Sequence, residues 1–258
     1  MKQNRRKGIS LSMVLYQFRD MIGNPYIHIF GVGLPLLMGL LISNVAAQEV
    51  TSDLVGMICT TIYLGIGVLI PMASILMGYA VSYAQELDKG IPQRMQLFGL
   101  SEGYLLTNRI VAELIYIAGV FILYFVVGNI FLELNSPTAS GVILYIVCIL
   151  VLSMIFFALA HGIASICRKF GKTYCVSMIL YFIIMILGGM MGVQYEALPK
   201  VLQTVAKLLP VTYINRDFYT IWIGETYNFS PMIQSYLFFG AFAGIVLFIG
   251  LKKKPVTV

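Results

Sequence analysis

Ala84–Arg109 reads AQELDKGIPQRMQLFGLSEGYLLTNR and stands between two long apolar runs. Pro92 follows Gly90 and Ile91, and proline suits the first turn of a helix, where its missing N–H costs nothing. Gly99 suits the left-handed conformation that closes a helix. Ser101 stands where a hydroxyl caps the next helix. Residues 91–98 therefore read as a short helix with Ile91, Met95 and Phe98 on one face and Gln93, Arg94 and Gln96 off it. A short amphipathic helix held between two membrane spans is a docking element.

The flanking runs place the chain in a membrane. Hydrophobic residues make up 59% of its 258 residues and charged residues 11%, against roughly 25% charged in ordinary soluble domains. Mean hydropathy is +0.89. Runs of this length with so few charges read as an all-α polytopic membrane protein. Cys59, Cys148, Cys167 and Cys175 lie in or at the ends of apolar runs and form no C-x-x-C pair; they read as packing residues, with no metal site.

Working outward, the basic N-terminus leads into residues 9–22. There Leu11, Leu15, Phe18 and Ile22 share one face and Ser10, Gln17 and Asp20 lie off it. This is the pattern of an N-terminal helix lying in the membrane interface. Six spans follow, at about 26–46, 54–83, 105–132, 141–167, 174–193 and 232–251. Pro71 is expected to kink the second. Residues 194–231 combine polar positions with Tyr213, Phe218, Tyr219 and Trp222, which suggests short helices at or dipping into the interface, with Pro210 interrupting. The whole chain, 1–258, reads as one transmembrane domain.

Charge sets an orientation. Of the 17 lysines and arginines, all but Lys200, Lys207 and Arg216 fall on one side of six spans. The positive-inside rule then puts both termini and the docking helix in the cytoplasm and residues 194–231 outside. The net charge of +6 serves membrane anchoring and points to no nucleic-acid partner.

Few side chains within the spans carry chemistry. Arg109 and Glu113 stand at i and i+4 in the third span and are expected to form an intramembrane ion pair near its inner end. His28 and His161 read as packed or hydrogen-bonded histidines. Gly188/Gly192 and Gly240/Gly244 have the spacing of close helix packing. H-E-x-x-H, G-x-S-x-G and G-x-x-x-x-G-K-[ST] are all missing, so no catalytic residues are expected and any nucleotide must bind another chain.

Glu86-Leu87-Asp88-Lys89-Gly90 followed by Arg94-Met95-Gln96-Leu97, and later Leu209-Pro210-Val211-Thr212-Tyr213, resemble the pattern of the permease subunit of an ATP-binding-cassette exporter of the type 2 class. The resemblance covers nearly the whole chain. It departs at Ile91-Pro92, where many members carry a threonine or serine and an acidic residue, and this leaves the cargo open.

The resemblance implies a cytoplasmic coupling helix between spans two and three and an extracellular helical segment before span six. It implies a separate ATPase subunit that holds ATP and magnesium, with no cofactor on this chain. Glu86, Lys89, Gly90, Arg94, Met95 and Phe98 would meet that ATPase, with Gln17 and Asp20 as a second contact. Two permease subunits, identical or different, would form the path in the plasma membrane, as in bacterial half-systems. Its lining would come from the second and fifth spans, through Met57, Tyr63, Met72, Met77, Met178, Tyr181, Phe182 and Met185. That surface suits an amphipathic or hydrophobic cargo such as a drug, a lipid-linked molecule or a peptide. A self-sufficient secondary transporter or channel is the alternative, though a dedicated docking helix favours the partnered reading.

Overall fold

The computed structural model describes residues 8–191 and 195–252. Gly192 and, of the basic residues counted above, Lys2, Arg5, Arg6, Lys7, Lys253 and Lys254 lie outside the described residues. Within them the chain is helical and has no strand. Six helices are long and apolar enough to cross a membrane. In chain order the elements are α1 (Leu11–Ile22), α2 (Ile29–Gln48), α3 (Ser52–Asp88), α4 (Ile91–Leu97), α5 (Glu102–Phe131), α6 (Ala139–Cys167), α7 (Phe170–Leu187), α8 (Lys200–Ala206), α9 (Pro210–Ile223) and α10 (Ser230–Lys252). A turn of helix at Pro25–His28 leads into α2.

The bundle is organised around α3. Its most apolar stretch is 61% buried, against 22% for α2 and for α10. Its path is uneven. Pro71 contributes no N–H, and the helix widens into open turns at Ser74–Tyr79. The start of α2 widens in the same way at Ile29–Gly33, and the two segments pack together. Glycine permits this approach: a Cβ on Gly31 would lie 2.8 Å from Ser74 Oγ. The expected kink is thus a pair of matched, widened turns.

Boundaries shift where the caps differ from expectation. α3 runs on to Asp88 because the break falls at Gly90, whose φ is +65°. α7 stops at Leu187, short of the expected 193, because Gly188 donates to Ile184 O at 2.8 Å and Gly189 turns left-handed. Pro210 starts α9 rather than interrupting a helix.

Two packing features are absent from the sequence reading. A close helix approach joins α6 and α10 at Gly162 and Gly250, where a Cβ on Gly250 would lie 2.8 Å from Gly162 O. A Cβ on Gly244 would meet nothing within 4 Å and one on Gly240 would make ordinary contact with Ile155, so that pair makes no close packing within the subunit. In α1, Leu11, Leu15 and Ile22 are exposed, while Val14, Gln17 and Met21 face the bundle. The predicted apolar stripe is therefore the outward face except at Phe18, which packs against Tyr116 of α5, and a second stripe holds the helix to α5. Ser10 N–H donates to Asn108 Oδ1 at 2.7 Å, and Asn108 Nδ2 donates to Gly8 O at 3.3 Å.

Candidate functional site

At one end of the bundle α4 sits over a cleft where α1, α3 and α5 converge. The left-handed Gly90 turns the chain out of α3, and Pro92 fixes the first turn of α4. Arg94 reaches back to Lys89 O at 2.5 Å and Gly90 O at 3.4 Å. Its guanidinium thus satisfies carbonyls that the end of α3 leaves open. Ser101 Oγ accepts from Tyr104 N–H at 3.2 Å and caps α5 as expected.

The expected apolar face of α4 divides. Ile91, Pro92 and Met95 line the cleft of about 360 Å³. Phe98 lies past the helix end and is 86% exposed, with Leu97 77% exposed beside it. The backbone leaves helical geometry at Phe98, which points its ring away from the Ile91–Met95 row. The exposed apolar surface of this turn is therefore Leu97–Phe98.

The charged core of this end is Arg109, 4% exposed in α5. Its Nη1 donates to Glu86 Oε1 at 2.5 Å, and Nη2 stands 3.8 Å from Asp20 Oδ2. The guanidinium lies over the Tyr79 ring at 4.9 Å. Tyr79 OH and His161 Nδ1 share a hydrogen bond of 2.5 Å, and Tyr83 stacks on His161 at 4.7 Å. Arg109 thus joins α1, α3 and α5, and through Tyr79 touches α6.

The expected Arg109–Glu113 pair is absent. Glu113 is 1% exposed and neither carboxylate oxygen has a hydrogen-bond partner. Sequence spacing favoured the neighbour one turn away, but the fold offers Arg109 two carboxylates from other helices. Gln17 is also corrected: it is 5% exposed and faces the bundle, although it borders the cleft with Asp20, Glu86 and Lys89. His28 is hydrogen-bonded, to Ile22 O at 2.7 Å and Tyr116 OH at 3.3 Å.

A short helix over a charged cleft, on a bundle with six candidate membrane spans, stands where the resemblance implied a coupling helix. A family model described as ABC-2 type transporter matches residues 11–222. The chain belongs to the ABC-2 type transporter family. No curated protein matches it. The matched region runs from α1 through Trp222, so α10 alone among the six apolar helices lies beyond it.

As an ABC-2 permease, the chain is a membrane transport component and not itself catalytic. Among the described residues, no group of histidine, cysteine and acidic side chains could hold a metal ion.

The residues expected along a path fall in two sets. Tyr63, Met72, Met77, Tyr181 and Met185 are at most 2% exposed and lie in the subunit's own core. Met178 is half-buried, while Met57 and Phe182 are exposed at 36% and 38%. Within this subunit α3 and α7 pack on each other, so the buried members of the set line no opening inside the chain itself. A row absent from the sequence reading lies in the same place. Thr173, Ser177 and Tyr181, at i, i+4 and i+8 of α7, are buried and their hydroxyls have no hydrogen-bond partner. The spacing was readable; apolar neighbours in α7 masked it.

At the opposite end, Met57 borders a cavity of about 720 Å³ with Glu49, Tyr195 and Arg216. Arg216 donates through Nε to Asp217 Oδ1 at 2.5 Å and through Nη2 to Oδ2 at 2.9 Å; Tyr227 OH donates to Oδ2 at 3.1 Å. The Asp217 hydrogen bonds hold the Arg216 guanidinium above its usual range, and burial pushes the Tyr227 phenol up. Cavities thus lie at both ends of α3, separated by its closed core.

Proposed function

We propose that the chain is one of two membrane subunits of an ATP-driven exporter and works with a separate cytoplasmic ATPase that holds ATP and magnesium. The observation that carries this reading is the exposed Leu97–Phe98 tip on a helix fixed by Gly90, Pro92 and Arg94 directly beside the Asp20–Arg109–Glu86 join. An apolar tip on a braced helix is suited to a cleft in a partner. A push on α4 reaches Glu86 through the short turn at residues 88–90, and from there reaches α1 and α5 through Arg109.

Glu86, Lys89, Gly90, Arg94, Met95 and Phe98 keep a role in coupling, divided by position. Lys89 and Phe98 face outward for contact, Gly90 and Arg94 fix the turn, and Glu86 and Met95 pass the displacement inward. Asp20 and Gln17 belong to the receiving cleft. The basic excess puts this end in the cytoplasm of a plasma membrane, with residues 194–231 outside. The cavities at the two ends of α3 suit alternating access. Separation of α3 from α7 would expose Met72, Met77, Met178, Tyr181 and Met185 beside the Thr173–Ser177–Tyr181 hydroxyls. That mixed lining suits an amphipathic cargo, and a second permease subunit, identical or different, would complete the path. ATP must favour one conformation by about 5.5 kcal/mol to move the population from nearly all closed to nearly all open.

Purification from the native membrane in mild detergent tests the reading. A stoichiometric ATPase partner with vanadate-sensitive hydrolysis is the expected result. A folded, monodisperse chain without one would transfer the assignment to a self-sufficient transporter or channel.

A further inference from the structure

Where α1, α3 and α5 meet, one guanidinium faces three carboxylates. Asp20 comes from α1, Glu86 from α3, and Glu113 from α5, one helical turn beyond Arg109 itself. Arg109 spends its charge on Glu86 and Asp20. Glu113 is the deepest of the three, 1% exposed, with both oxygens unpartnered, and Nε of Arg109 is also buried without a partner. An ionised carboxylate in an apolar span with no donor and no paired cation is the costliest state such a group can occupy, and a neutral acid is far less costly.

Among the described residues, Arg109 is the cation beside Glu113; Arg168 of the α6 end and Glu102 of the α5 start act on Tyr83 instead. From α3, Tyr79, Tyr83 and Glu86 face this region. Tyr79 is engaged with His161 of α6, and Tyr83 stacks on that same ring. On α5 itself Tyr116 stands nearby, sharing its hydroxyl with His28 at the start of α2. Asp20 is the contribution of α1.

We propose that Glu113 is a proton-holding site, occupied in this conformation, and the second seat for the Arg109 guanidinium. Arg109's present partners lie on other helices, so a displacement of α1 or of the end of α3 against α5 separates them. Glu113 rides on the same helix and stays one turn away. When Arg109 turns to it, the Glu113 O–H bond breaks, the carboxylate pairs with the guanidinium, and the proton passes to water in the cleft that Arg109 and His161 line. The return step takes one proton back. Acid therefore favours the conformation described here and alkali the exchanged one, by linkage. The site requires no knowledge of the ATPase and stands or falls apart from the proposed function.

Infrared spectroscopy of the full chain in lipid nanodiscs at neutral pH reads the proton directly. The wild-type spectrum is expected to contain a protonated-carboxyl C=O stretch that moves on isotope labelling of glutamate and is lost in Glu113→Gln. No glutamate-derived band in the wild-type chain would overturn the proposal without any variant. A band that survives in Glu113→Gln would also overturn it, by placing the proton elsewhere. In the paired variant Asp20→Asn/Glu86→Gln, Arg109 loses its present partners and the band is expected to vanish as the guanidinium moves to Glu113. An undiminished band in that folded variant would overturn the exchange.

Discussion

Where α1, α3 and α5 meet, a single guanidinium holds the join; where α3, α5, α6 and α9 meet at the other end, neutral groups do. There Thr138 N–H donates to Trp222 O at 2.9 Å, Trp222 Nε1 donates to Asn135 O at 3.0 Å, and Asn135 Nδ2 donates to Tyr219 OH at 2.6 Å. Tyr63 and Tyr124 stack at 3.9 Å and each phenol donates to the other residue's carbonyl, at 2.5 and 2.9 Å. Neutral hydrogen bonds and close rings demand one geometry. A charge pair is longer in reach, can change partners and responds to water and protons. The difference suggests that motion begins at the α4 end and that the opposite end serves as the fixed frame.

The largest effect expected is at the ionic join. Arg109→Met leaves Glu86 without its cation and should cost about 3 kcal/mol, toward the lower end for a broken buried pair because Glu86 and Asp20 are partly solvated. Thermal unfolding in nanodiscs measures it, and an unchanged transition would show that the join is not ionic. Next comes the neutral frame. At Gly65 an added Cβ would collide with Asn215 of α9, so Gly65→Val should cost ~1–3 kcal/mol by overpacking. Gly103, with nothing within 4 Å of its Cβ position, is the matched control, and Gly103→Ala should leave stability unchanged. Tyr124→Phe removes one of the reciprocal hydrogen bonds and should cost about 1 kcal/mol.

The smallest expected effects sharpen the contrast. Leu97→Ser with Phe98→Ser touches only exposed surface, so stability should move by less than about 0.5 kcal/mol, while partner retention falls. Equal loss of both would mean that the tip packs within the subunit. Arg216 and Tyr227 both have raised values at the outer segment. A raised group contributes fully below its unfolded value, which for both arginine and tyrosine lies well above neutral, and loses that contribution only as pH rises through the folded value. Arg216 and Tyr227 should therefore keep their protons across neutral pH, as pH-dependent exchange protection of α9 would report.

Much of this was legible in the sequence. Gly90, Pro92, Gly99 and Ser101 mark the turns around α4 because each acts through its own backbone or cap, and such local chemistry needs no tertiary knowledge. The six spans follow from hydropathy alone. What failed depended on partners far apart in the chain. Spacing could pair Arg109 with Glu113 but could not bring Glu86 and Asp20 to it. The apolar stripe of α1 was legible, but nothing in the sequence showed that Val14, Gln17 and Met21 on another face pack against protein. Gly162 and Gly250 show no paired spacing, since their contact joins two helices rather than one motif.

The central claim, that the α4 end is the cytoplasmic seat of an ATPase, is tested most directly by side-specific labelling. Phe98→Cys in a Cys175→Ser background, which removes the exposed native thiol, would be probed with a membrane-impermeant maleimide in intact cells and inverted vesicles. The account predicts labelling only in inverted vesicles, and protection whenever the ATPase subunit is present. Labelling in intact cells, or labelling in inverted vesicles that the ATPase does not reduce, would contradict it.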